Sequence, residues 1–132
     1  MTFSKKNLLN KMRDYFGSDQ KRIQHAEKVL AAAEKVLKTE KGNPEVVIAS
    51  AILHDIGINE AERKYHSNAG KYQEIEGPPI ARKILEEVGM DKNIIQEICE
   101  IIAHHHSPGK VNTLNFKILY DADGIVNKSE GG

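Results

Sequence analysis

The sequence has no tryptophan, a single cysteine and 5% aromatic residues, and its 19 Lys and Arg are balanced by 19 Asp and Glu. Each scarcity removes a class of explanation. One cysteine, Cys99, rules out an internal disulfide and gives a thiolate metal cluster no partner. A zero net charge leaves no global positive field to collect nucleic acid by counterion release, so duplex DNA is not an expected partner. No segment reaches the roughly 18 consecutive apolar residues of a membrane span. The start, Met1-Thr2-Phe3-Ser4-Lys5-Lys6, lacks the apolar run of a signal peptide. A cytoplasmic protein without a membrane partner is the expectation. There is no internal repeat and no low-complexity tract.

What is present is ordinary globular material: 132 residues, 39% hydrophobic and 29% charged. That length fits a single domain, 1–132, which needs no covalent staples. Its core is expected over about residues 18–127, with 128–132 as a disordered tail or a truncated end.

Apolar residues recur at helical spacing between short Gly, Pro and Asn breaks. Leu8, Leu9, Met12 and Phe16 mark a first helix ending at Gly17, and Ser18 or Asp19 caps a second that runs to about Thr39. Asn43-Pro44 opens a third, whose Val47, Ile48, Ala51 and Ile52 suggest the buried centre. Residues 57–77 are polar without a clear stripe and read as a long loop with a short helix around 60–65. Pro78-Pro79 reads as the opening of a fourth helix carrying Ile80, Ile84 and Val88 and closed by Gly89. Asp91 caps a fifth, rich in isoleucine, and a last helix starts near Thr113. The fold class is all-α, a bundle of about five to six helices.

Metal-capable side chains occupy positions where apolar ones are expected. His25 is in register with Val29, Ala32 and Val36; His54 and Asp55 end the most apolar helix; Asp123 shares a stripe with Phe116 and Tyr120. A lone buried histidine is usually a hydrogen-bonded core residue, and an Asp at a helix end is often a cap. Four such groups in one small core are different. Burying them unpartnered costs several kcal/mol each, and a divalent cation satisfies them together. Nitrogen and oxygen donors suit iron, manganese, nickel or magnesium.

The order His25, then Ala51-Ile52-Leu53-His54-Asp55-Ile56-Gly57, then His104-His105-His106, then Asp121-Ala122-Asp123 resembles the HD-domain metal-dependent phosphohydrolases. The resemblance covers about residues 20–127. It implies a helical bundle in which His25, His54, Asp55 and Asp123 hold the metal. Asp123 is preferred to Asp121 because the family places its distal ligand in an Ala-Asp step; periodicity alone leaves both open.

Binuclear branches, including those similar to diadenosine tetraphosphate hydrolases and cyclic-dinucleotide phosphodiesterases, carry a further histidine four residues before a Gly that opens the fourth helix. Here that place holds Gln73, which argues for one ion, although Glu74, Glu76 or His66 are candidates for a second. Those branches also use a histidine ending the fifth helix, for which His106 is the nearest match and His105 the next. Nucleotidase-like branches often have a glutamate where this chain has Ile58, with Glu60 and Glu62 as nearby substitutes.

The resemblance implies hydrolysis of a phosphate ester or anhydride, with a small phosphorylated substrate, a nucleotide by expectation. Asp55, His106 and His105 are the candidate catalytic groups: Asp55 to ligate and steer the nucleophile, a histidine of the run or His66 to protonate the leaving oxygen. Lys and Arg at 63, 64, 71, 82 and 110 read as scattered surface charge available to phosphate, and Cys99 as core. Two other readings stand beside this one: a regulatory module that binds a phosphorylated ligand without turnover, and a purely structural metal site. A homodimer is a further expectation.

Overall fold

The computed structural model describes residues 3–130. Among them are seven helices and no strand: α1 (Lys5–Phe16), α2 (Gln20–Val36), α3 (Pro44–Leu53), α4 (Ile58–Tyr65), α5 (Gly70–Glu87), α6 (Lys92–His104) and α7 (Leu114–Ser129). Met1, Thr2, Gly131 and Gly132 lie outside the described residues.

Local chemistry places most helix ends. Ser4, Asp19, Asn43, Asp91 and Thr113 each accept a hydrogen bond from a first-turn amide, and Pro44 sits where a missing N–H costs nothing. Gly17 and Gly89 turn the chain after α1 and α5 with φ of 63° and 79°.

α3 organises the bundle. Its eight residues from Val46 to Leu53 are all buried, so it is apolar on every side and packs against α1, α2, α6 and α7. α6 supplies Ile95, Ile98, Ile101 and Ile102 to the same core, and α7 adds Phe116, Leu119, Ala122 and Val126. Each buried isoleucine or leucine contributes about 1.5–3 kcal/mol relative to exposure. The C-terminal end of this central helix delivers His54 and Asp55 to the middle of the molecule.

Two expectations fail between residues 57 and 87. The short helix expected around 60–65 is α4, but the rest of the stretch 57–77 is not one long loop: only 66–69 connect, and from Gly70 onward it forms the first turns of α5. Its inward positions are Ala61, Gln73, Glu76 and Gly77, which is why no apolar stripe is visible. Gln73 bonds to Asn68 O and His106, and Glu76 is satisfied across the helix pair. Lys64 Nζ and Tyr65 OH both donate to Glu76, at 2.9 Å.

Nor does Pro78-Pro79 open a helix. Both prolines lie inside α5, which starts at Gly70, so Gly77 is a mid-helix residue. Two i→i−4 hydrogen bonds are lost there. The helix continues because it packs along both α4 and α6, and because Gly57 and Gly77 let the backbones touch. A Cβ on Gly57 would lie 2.5 Å from Gly77 N and 2.7 Å from its Cα.

α7 runs through Lys128 and Ser129, and Glu130 caps it.

Candidate metal centre

His25 comes from the middle of α2, His54 and Asp55 from the turn after α3, and Asp123 from α7. Their side-chain atoms converge. His25 Nε2 lies 3.1 Å from Asp123 Oδ1, 3.4 Å from Asp55 Oδ2 and 3.4 Å from His54 Nε2. His54 Nε2 lies 3.3 Å from Asp123 Oδ1 and 3.4 Å from Asp55 Oδ2. Asp121 points elsewhere, to Lys117 Nζ at 3.8 Å, which places Asp123 and not Asp121 in the cluster.

Proton positions make this arrangement informative. His54 Nδ1 donates to Ala51 O at 2.8 Å, and His25 Nδ1 faces Glu130 Oε1 at 3.0 Å while its Nε2 faces Asp123. In neutral imidazoles protonated at Nδ1, both Nε2 atoms are bare lone pairs. Two bare nitrogens and two carboxylate oxygens facing one another repel unless positive charge sits among them.

The ionisation of the cluster reflects that demand. Burial pulls the His54 imidazolium down, but Asp55 and Asp123 outweigh it and raise its pKa to about 9. The hydrogen bond to Asp123 raises His25 against the opposing effect of burial. Asp55 and Asp123 both lie below the usual carboxylate range: burial opposes this, and it is overcome by His54 and His105 for Asp55 and by His25 and His54 for Asp123.

A divalent ion meets the same demand. Donors about 2.1–2.3 Å from a shared ion stand about 3.0–3.8 Å apart at angles between octahedral and tetrahedral. The observed separations of 3.1–3.4 Å fall inside that interval. The residues present therefore fit a divalent metal. The side chains of His25, Asp55 and Asp123 retain 13–17% exposure, so the cluster opens to solvent on one side.

His105 and His106 occupy a second tier. His105 is buried, donates Nδ1–H to Ile102 O at 2.7 Å and holds Nε2 3.3 Å from Asp55 Oδ1. His106 faces outward, with Nε2 3.1 Å from Gln73 Oε1, and burial together with His105 lowers its pKa. Asp55, His105 and His106 form a second close group of metal-capable atoms. Of the other candidates, Glu60 pairs with Arg63 and Glu62 with Arg22. Glu74 accepts from His106 N and Ser107 Oγ, Glu76 is held by Lys64 and Tyr65, and His66 caps α4 at φ 55°. Cys99 is buried, with Sγ 3.7 Å from Pro78 O.

Two cavities flank the cluster and share Asn127. One of about 440 Å³ is lined by Lys21, Arg22, Asn68 and Ile58 above His25 and Asp55. Another of about 250 Å³ lies by His105, His106, Tyr120 and Asp123. None of the basic residues at 63, 64, 71, 82 or 110 lines either. Lys21, Asn127 and Glu130 escaped the sequence reading. Glu130 had a signal: it lies seven residues after Asp123, on the same face of α7.

The family model described as HD domain matches residues 22–128. No curated protein and no solved structure matches the chain at significant similarity. The matched segment contains His25, His54, Asp55 and Asp123 in order and, among the described residues, folds as helices without strands, so the chain belongs to the HD-domain superfamily of metal-dependent phosphohydrolases.

Proposed function

We propose that the chain hydrolyses a phosphate ester or anhydride of a small molecule, with a nucleotide as the substrate class, using one divalent ion held by His25, His54, Asp55 and Asp123. The observation that carries this reading is the convergence of His25, His54 and Asp55, with Asp123 Oδ1 3.1–3.3 Å from both imidazoles, beside a polar cavity. A site serving stability alone has no use for that cavity. The cavity, at about 440 Å³, is within the range of small-molecule sites.

A bound ion of this kind lowers the pKa of coordinated water and polarises a phosphoryl oxygen. The remaining work falls to the chain. Asp55 spans two environments, with Oδ2 in the donor cluster and Oδ1 toward His105. It thereby fixes the direction from which a nucleophilic water approaches. With Nδ1 committed to Ile102 O, His105 is hydrogen-bonded to Asp55 only when Nε2 carries a proton. A protonated His105 has a proton to give a leaving oxygen, and His106 closes the same side against Gln73. Lys21 has no carboxylate partner among the described residues and offers its ammonium to phosphate oxygens at the cavity mouth.

The test is phosphate release from a nucleotide panel by metal-loaded protein and by Asp55→Ala. Turnover by the wild type that falls to background in a folded Asp55→Ala supports the reading; equal turnover in both overturns it. Ile58 lines the cavity where a glutamate would be expected in nucleotidase-like members, which favours a binding module as the second reading. Tight nucleotide binding by wild-type protein without phosphate release would select that one.

A further inference from the structure

Three imidazoles surround the centre, and their anchoring differs. His54 and His105 follow the last residues of α3 and α6, where terminal carbonyls have no intrahelical partner. Each donates Nδ1–H to the carbonyl three residues earlier, Ala51 O at 2.8 Å and Ile102 O at 2.7 Å. Forming the helix suffices to set their orientation. His25 sits in the interior of α2, where carbonyls are consumed by the helix itself. Its Nδ1 needs a partner from another element.

That partner is Glu130 at the C-terminal cap of α7. Its Oε1 lies 3.0 Å from His25 Nδ1, and its Oε2 lies 3.3 Å from Lys28 Nζ, nearly one turn further along α2. One carboxylate therefore bridges two α2 side chains. The family match ends at residue 128, so Glu130 lies outside it.

We propose that Glu130 is a positioning residue for the candidate metal centre: its bridge from the end of α7 to His25 and Lys28 holds the His25 ring with bare Nε2 turned toward His54, Asp55 and Asp123. The proposal rests on the metal reading above. Without Glu130 the ring has no partner for Nδ1–H, so rotation and the other tautomer become available, and both remove a lone pair from the cluster. Carboxylates placed in this way behind a ligating histidine typically account for 10–100-fold in metal affinity.

The experiment compares wild type, Glu130→Ala and Glu130→Gln by calorimetric titration with Mn²⁺, by thermal melting without metal, and by two-dimensional ¹H–¹⁵N spectra that report the tautomer of each histidine in metal-free protein above the His54 pKa of about 9, where the rings are neutral. Glu130→Ala is expected to bind Mn²⁺ about 10–100-fold more weakly and to populate the second tautomer at His25 while His54 and His105 keep theirs. Glu130→Gln, whose amide oxygen still accepts from Nδ1, is expected to regain most of the affinity and the wild-type tautomer. A folded Glu130→Ala with wild-type affinity and an unchanged His25 overturns the proposal. Weak binding with no change at His25, unrelieved by glutamine, overturns it as well. A wild type that takes up no Mn²⁺ contradicts both this proposal and the metal reading, which separates the two failures.

Discussion

At the scale of single residues, the account turns on which nitrogen of each histidine carries a proton. The raised pKa values of His25 and His54 mean that their contribution to stability without metal is complete below the unfolded value near 6.5 and is lost as pH rises through the folded values, about 9 for His54. The lowered Asp55 and Asp123 contribute fully above about pH 4 and lose that contribution as pH falls below it. Metal-free protein should therefore melt highest between roughly pH 4 and 6.5 and lose stability toward pH 9. Adding Mn²⁺ should reverse the trend above pH 6.5, because the ion binds imidazoles that have shed their protons. Melting curves across pH, with chelator and with Mn²⁺, check both; a metal-free melting temperature that rises from pH 6.5 to 9 contradicts the protonation scheme. Lys21 belongs to the same scale. Lys21→Ala should raise KM for a phosphorylated substrate by roughly fivefold, equivalent to about 1 kcal/mol, with kcat little changed.

At the scale of elements, the contact of α5 with the turn after Asp55 is the tightest constraint on the centre. Gly57→Ala drives a methyl into the Gly77 backbone, which cannot rotate away, so a loss of about 1–3 kcal/mol in unfolding free energy is expected from denaturant titration. A neutral result would mean that α5 shifts freely and does not brace Asp55. Elements also show where sequence reasoning succeeds and where it stops. Caps at Asp19, Asn43, Asp91 and Thr113 act within one turn, and α3 is apolar all round, so these helices and the approach of His54-Asp55 to the core could be read locally. α4 showed only as a short helix around 60–65, and the start of α5 did not show at all. Their inward residues are Gln73, Glu76 and Gly77, whose burial depends on partners such as Lys64, Tyr65 and His106 that only the tertiary fold brings near. The same holds for Glu130, which reaches His25 across 105 positions of sequence. His25, His54, Asp55 and Asp123 announced themselves by being polar on apolar faces. Asp121 and Asp123 differed only in direction, which coordinates decide.

For the whole molecule, four donors from α2, the turn after α3 and α7 make the ion a tie between segments distant in sequence. Mass action then predicts that divalent metal at about a hundred times its dissociation constant adds about 2.7 kcal/mol, a rise of roughly 10 °C in melting temperature for a chain of this size. Chelator should remove it. The most direct measurement is elemental analysis of protein purified without chelator, together with Asp123→Ala prepared in parallel. The account predicts close to one divalent ion of the iron, manganese, nickel or magnesium group per wild-type chain, and substantially less in a variant that keeps its helical circular dichroism. Wild-type protein free of bound metal that takes none up on addition would contradict it, as would a folded Asp123→Ala that retains a full equivalent.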